Sequence, residues 1–142
     1  MLQLNVKKLH PYATIPAYAT EGSAGFDFCA LQSMTVDPGT SAIIPTGLAF
    51  EVPFGYYLSI ISRSGLATTG VTVFNSPGII DSDYRGEVGI LLKNHTELPL
   101  RITSGSRCAQ GILCKIPEVE IVEVEELSDT LRGSGGFGST GR

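Results

Sequence analysis

Apolar and polar positions alternate with a two-residue period over much of the chain. Leu2, Leu4 and Val6 share one face, with Gln3, Asn5 and Lys7 on the other. Tyr56, Leu58 and Ile60 repeat the pattern, as do Val88, Ile90 and Leu92. Leu98, Leu100 and Ile102 alternate with Pro99, Arg101 and Thr103, and Ile112, Cys114 and Ile116 close the series. Such alternation predicts half-buried strands. Turn residues separate the runs: Asp37-Pro38-Gly39, Pro53-Phe54-Gly55, Asn94 to Glu97, and Thr103-Ser104-Gly105. The β-branched run Val119 to Val124 predicts a further strand, whose facing is ambiguous because Ile121-Val122 breaks the alternation. Only Ser64 to Thr69 reads as a short helical turn. The spacing predicts an all-β sandwich or jelly roll.

Composition supports this reading. With 17 Gly and 8 Pro in 142 residues, the backbone is punctuated too often for long helices. A hydrophobic fraction of 42% excludes a disordered chain. The length suits one domain with a real core. Net charge is −4, and it is local: six acids lie between Glu118 and Asp129, where there is no Lys or Arg, while residues 1–117 hold eight acids and eight bases. There is therefore no basic face for nucleic acid and no polybasic stretch for a membrane surface. No apolar run approaches the ~20 residues that span a bilayer, and no signal peptide is expected. Cys29, Cys108 and Cys114 cannot all pair within one chain and form no C-x-x-C, which points to a reducing compartment. The expected location is the cytoplasm or another intracellular compartment, including the nucleus.

Five segments carry candidate chemistry. Gly25-Phe26-Asp27-Phe28 sets one acid between aromatics. Ser62-Arg63-Ser64-Gly65-Leu66-Ala67 places a guanidinium, a hydroxyl and a glycine at a predicted helical start, a combination suited to an anion. Asn75 to Gly86 contains Pro77-Gly78 and Arg85-Gly86, with aliphatic residues beside Asp81 and Asp83; it reads either as a hairpin holding a tuned carboxylate or as a turn whose aspartates cap amides. Gly105 to Gln110 is a turn with Arg107 before a strand. The last, residues 132–142, holds five glycines and one large apolar residue, Phe137. It matches G-x-G-x-x-G literally, but no strand-to-helix unit follows, so no dinucleotide fold is implied. It reads either as a disordered tail or as a segment that folds over a ligand. Consecutive glycines let N–H groups converge on a phosphate. His10 and His95 both sit in turn-like stretches, and neither suggests a triad or a metal site. Asn94-His95-Thr96 is a glycosylation sequon by pattern, without meaning in a reducing compartment.

In this order and spacing the five segments resemble the motifs of the trimeric deoxyuridine triphosphatases, the dUTPases, from about Ala24 onward. The resemblance implies a jelly-roll domain over residues 1–130, a distorted barrel or sandwich with one short helix. It implies a glycine-rich lid over residues 131–142, and a homotrimer with exchanged C-terminal strands or tails and active sites between subunits. The implied reaction converts dUTP and water to dUMP and pyrophosphate with Mg2+ on the triphosphate. By the same resemblance Asp81 is the general base. Asn75, Gly78, Ile79, Ile80, Tyr84, Gly89 and Phe137 contact base and sugar. Arg63, Ser64, Gly65, Gln110, Arg132, Gly138, Ser139 and Thr140 bind phosphate, and Asp27 holds the metal through water. No nucleic acid or membrane partner is implied. The chain departs from the family's usual pattern at three places. Ser62 stands where Pro is usual, so a looser turn is expected there. Phe28 replaces Leu, and Thr68-Thr69 lie where many relatives carry a base. A dCTP deaminase shares the fold and is the nearest rival; a nucleotide-dependent switch protein and a structural jelly-roll module are others.

Overall fold

In the computed structural model, residues 1–141 are described. The longest strand, β5 (Ser41–Glu51), is the backbone of a four-stranded sheet. It pairs with β1 (Asn5–Lys8) on one side and with β9 (Glu87–Asn94) on the other, and β7 (Val71–Val73) completes the order β1-β5-β9-β7. Facing it is a five-stranded sheet of order β2-β3-β11-β6-β8, made from β2 (Ala17–Tyr18), β3 (Phe26–Cys29), β11 (Arg107–Lys115), β6 (Tyr56–Ile61) and β8 (Gly78–Ile80). β4 (Met34–Val36) and β10 (Leu100–Ile102) form a separate pair. Every pairing is antiparallel. Among the described residues the one helix, α1 (Ser64–Ala67), is a single turn. The expected all-β jelly roll with one short helix is the architecture found.

The core lies between the two large sheets. Val88, Ile90 and Leu92 point into it, as their alternation requires, against Ile44, Leu48, Leu58 and Val71. Phe28 sits at its centre with ring centroids 5.7 Å from both Phe26 and Phe50, so the departure at this position fills volume with an aromatic cluster. Gly111 makes that cluster possible. A Cβ there would lie 2.6 Å from the Phe28 ring and 2.8 Å from the Phe26 ring.

β5 is too long to run straight. Its pairing with β9 shifts between Pro45 and Ala49, where Gly47 adopts a φ of 68°. This bulge is secured by the Gly47 N–H donating to Glu87 Oε1 at 2.7 Å and the buried Thr46 hydroxyl donating to the Val88 carbonyl at 2.6 Å. Asn94, fully buried, donates through Nδ2 to the carbonyls of Val36 and Leu98 and accepts from Thr96 through Oδ1. The sequon asparagine is thus consumed by the fold.

Four expectations need correction. The first strand begins at Asn5, leaving Leu2 exposed, and Leu98 is exposed outside β10. On β11 the core face carries Ala109, Gly111 and Leu113, so Ile112 and Cys114 lie on the opposite face. Val119 to Val124 forms no strand, because a strand needs a ladder partner and no segment of this chain pairs with it among the described residues. Val119, Ile121, Val122, Val124, Leu127 and Leu131 are all exposed.

Candidate active site

Asp27 is carried by β3, whose neighbours Phe26 and Phe28 are buried and so aim the carboxylate to the other face. β3 pairs with β11 in a register that sets Asp27 opposite Gln110. β11 pairs in turn with β6, setting Gln110 opposite Ile61 and bringing the β6–α1 connection alongside. Arg63 caps α1 in an extended conformation, and the first turn is Ser64 and Gly65. The opening N–H groups of a helical turn have no partner within it, and here they belong to those two residues.

The result is one cavity of about 270 Å3 lined by Ser23, Gly25, Asp27, Arg63, Ser64, Gly65 and Gln110, among others. Arg63 Nε donates to Asp27 Oδ1 at 2.9 Å, and Arg107 Nη1 reaches Asp27 Oδ2 at 3.4 Å. Gln110 donates through Nε2 to the Ser62 carbonyl at 3.0 Å, while its Oε1 lies 2.8 Å from where a Gly25 Cβ would stand. A side chain at position 25 would displace the Gln110 amide from this position and press on the Gly111 carbonyl at 3.2 Å. A guanidinium, a hydroxyl, an amide and two helical N–H groups around one mouth can hold oxyanions.

The second cluster runs from the β7–β8 loop through β8 to the turn before β9; the hairpin offered by the sequence is not formed, because among the described residues β8 ladders with β6 and with neither β7 nor β9. β7 ends at Val73, residues 74–77 turn, and β8 pairs with β6 so that Gly78 faces Ile60. A Cβ on Gly78 would lie 3.3 Å from Asn75 Nδ2, so the asparagine amide folds back over the glycine. Ile80 packs partly buried against the core, whereas Ile79 is exposed. Asp81 follows with its side chain exposed, and its carbonyl accepts the Tyr84 N–H at 3.2 Å. The Tyr84 hydroxyl donates to the Glu87 carbonyl at 2.9 Å, drawing the ring across Gly86, where any Cβ would collide with it. Gly89 lies opposite Pro45 on the outer face of β9, and a Cβ there would meet Ile43 at 2.5 Å.

The structure thus gathers Asp27, Arg63, Ser64, Gly65 and Gln110 in one cavity, and sets Asn75, Gly78, Ile79, Ile80, Asp81 and Tyr84 along the one segment that joins β7 to β9 through β8. It does not bring the tail to either. Phe137 is fully exposed with a φ of 50°, and Arg132 Nε donates to Gly135 within the tail. The backbone hydrogen bonds of Gly133, Gly135, Ser139 and Gly141 also close within the tail. Gly138 and Thr140 lie on the same segment, and both are exposed. Some polar or glycine contributors were not singled out from sequence as site residues. Ser23 and Gly25 line the cavity, and Arg107 reaches Asp27 only because β3 and β11 pair with a register shift at that point. The expected looseness at Ser62 is not found: its hydroxyl accepts the Val73 N–H at 2.8 Å.

A profile described as dUTPase matches residues 11–141. The chain belongs to the dUTPase family. As a dUTPase it is a hydrolase of nucleotide metabolism. Deoxyuridine 5'-triphosphate nucleotidohydrolase of Nautilia profundicola is 51% identical over 142 residues, covering 99% of this chain and 100% of that protein. The protein of the same name from Wolinella succinogenes is 47% identical, covering 99% of this chain and 95% of that one. Among solved structures, the Staphylococcus bacteriophage 80alpha dUTPase with dUPNHPP superposes with a TM-score of 0.93 at 29% identity, covering 100% of both chains.

Two cysteines lie beside the cavity residues Asp27 and Arg63. Burial, reinforced by nearby Cys29, pushes the Cys108 thiol up to about 12. Burial and then Asp27 raise Cys29 as well, so neither is an activated thiolate.

Proposed function

We propose that this dUTPase hydrolyses dUTP to dUMP and pyrophosphate, with water attacking the α-phosphorus. The observation that carries the reading is the coexistence, in a chain of this family, of the Arg63–Asp27 oxyanion cavity and the Asn75–Tyr84 segment. Phosphoryl transfer needs positioning, charge neutralisation and one base. Arg63, Ser64, Gly65 and Gln110 hold phosphate oxygens. Asp81, an exposed carboxylate on a turn pinned by Tyr84, takes the proton from the attacking water. The Asn75 amide, the backbone of Gly78 to Asp81 and Gly89 read uracil, and the closeness of Asn75 to Gly78 leaves no room for a 5-methyl group. The Tyr84 ring, held by its bond to Glu87, lies beneath the deoxyribose and excludes a 2′-hydroxyl.

The functional unit in this reading is a homotrimer. Residues 131–142 act as a lid that brings Phe137 over the base and Arg132, Gly138, Ser139 and Thr140 to the outer phosphates. Two features support this. The tail reaches neither cluster of its own chain, and residues 119–131 expose six large apolar side chains that water does not favour. A neighbouring subunit supplies what they lack.

Mg2+ fits this site as an ion carried by the substrate. No group of three His, Cys, Asp or Glu side chains that could cage a metal occurs among the described residues. Mg2+ favours phosphate oxygens and retained waters, and Asp27 keeps lone pairs for such a water beyond its two guanidinium contacts. When bound, the ion neutralises charge on the triphosphate. The product dUMP feeds thymidylate synthesis, and the activity belongs inside the cell.

The decisive assay is pyrophosphate release from dUTP, dTTP, dCTP and UTP. Release from dUTP alone is expected. Ammonia from dCTP instead would assign a deaminase, and no product from dUTP would overturn the reading.

A further inference from the structure

The loop that carries Asn75 is anchored in two different layers. Its first end leaves the four-stranded sheet at Val73, and its second joins the five-stranded sheet at Gly78. A loop held this way is placed only as well as the spacing between those layers. Among the described residues β7 has β9 as its sole ladder neighbour, and the Phe74 N–H is spent on that side, donating to the Leu91 carbonyl at 2.8 Å. Alternation then turns the Val73 N–H away from β9. Val73 is buried, so water cannot serve that amide, and an acceptor must come from elsewhere.

Ser62 supplies it. This residue follows β6, two positions beyond Ile60, which pairs with Gly78. Its Oγ accepts the Val73 N–H at 2.8 Å, so one residue is tied to both ends of the Phe74–Pro77 loop: to β8 through its own strand and to β7 through its hydroxyl. Its carbonyl meanwhile accepts from Gln110 Nε2 at 3.0 Å in the phosphate cavity. Proline at this position would keep the carbonyl but offer nothing to Val73.

We infer that Ser62 is a positioning residue for base selection, whose hydroxyl fixes the Asn75 loop relative to the strand that carries Gly78. This rests on the proposed reading of Asn75 and Gly78 as uracil contacts. Uracil and cytosine differ at one hydrogen-bonding edge, and a site built to pair with that edge discriminates only while its groups stay in place. Loss of the hydroxyl frees the β7 end of the loop while Asp81, beyond β8, keeps its anchor. The effect therefore falls on KM and on discrimination rather than on kcat.

The test compares wild type with Ser62→Ala, Ser62→Thr and Ser62→Val, measuring kcat and KM for dUTP and for dCTP. Thr and Val have nearly the same shape and differ in the hydroxyl. The alanine and valine variants are expected to raise KM for dUTP about tenfold, the loss of one ordinary hydrogen bond, and to narrow the dUTP-to-dCTP ratio of kcat/KM by about as much. Their kcat should stay within about threefold, and threonine should restore all three. Unchanged KM and ratio in a folded alanine variant would overturn the inference. So would equal losses for threonine and valine, or a fall in kcat that leaves the ratio intact. A wild type that does not turn over dUTP refutes the functional reading instead. If neither alanine nor valine folds, amide exchange in the wild-type protein decides. A Val73 N–H that slows further when an α,β-imido analogue of dUTP binds supports the inference, and one that exchanges as fast as the tail overturns it.

Discussion

Arg63 and Asp27 form an ion pair at 2.9 Å on the wall of the cavity shared with Ser64, Gly65 and Gln110, so the cation lining that cavity is aimed by the carboxylate lining it. Both side chains are mostly buried, at 25% and 17% exposure, so the pair is worth more than a surface bridge. Asp27→Asn keeps one acceptor for Arg63 but loses the charge and weakens the hold on Arg107. A charge-assisted hydrogen bond is worth about 1.5–3 kcal/mol. Steady-state kinetics should show kcat/KM for dUTP falling at least about tenfold. Tighter substrate binding would mean that repulsion between Asp27 and the phosphates outweighs the positioning of Arg63.

Asp81 makes no side-chain bond that the fold depends on, and its side chain is exposed. Asp81→Asn should therefore leave the melting temperature unchanged while lowering kcat by about 10²–10⁴-fold, the usual contribution of a general base. Calorimetric titration should still detect dUTP binding. Retained turnover would remove Asp81 from the base role.

The tail makes none of the hydrogen bonds that hold the sheets together. Truncation before residue 130 should leave unfolding behaviour and assembly intact while activity collapses. Light scattering together with pyrophosphate release tests both halves of the statement, and a truncated chain that runs as a monomer would contradict it.

Gly111→Ala should destabilise the protein by about 1–3 kcal/mol, because the new methyl group collides with two aromatic rings packed in the core. Denaturant midpoints measure this. Gln110 is its chain neighbour, so KM for dUTP should rise in the same variant.

Cys108 predicts an alkaline limit. Its thiol is raised from 9.0 to about 12 by burial in the folded protein. An acid whose folded value is raised stays neutral in the native state while the unfolded chain ionises. Stability from this group is complete below about pH 9 and is lost as pH climbs toward 12. The expected slope is about 1 kcal/mol per pH unit in that window. Unfolding measured between pH 8 and 10.5 should steepen there for wild type and less for Cys108→Ala.

Legibility from sequence followed local physics. Val88, Ile90 and Leu92 were readable because β9 buries one face and exposes the other. β5 was not, because its run from Thr46 to Phe50 is buried without a break, the alternation being lost at the Gly47 bulge. β11 was read with the wrong face inward, since its core side holds Ala109 and Gly111, small residues that leave room for Phe26 and Phe28 and carry little hydrophobic signal. Val119 to Val124 has strand composition but no partner in its own chain. In the site, each motif was visible as a segment, yet the bonds between segments, Arg107 to Asp27 and Ser62 to Val73, depend on strand register across 80 and 11 positions of sequence.

To a protease, the sheets and the tail are different targets. In the single chain the backbone between Glu118 and Arg132 is exposed, lacks regular structure and is open to a cleavage groove, whereas the ladders of β5, β9 and β11 are not. A single cut in that stretch removes Phe137 and the hydroxyls of Ser139 and Thr140 and leaves every strand whole. Such a cut therefore parts the tail from the sheets without unfolding them, and the remnant keeps the cavity of Asp27, Arg63 and Gln110.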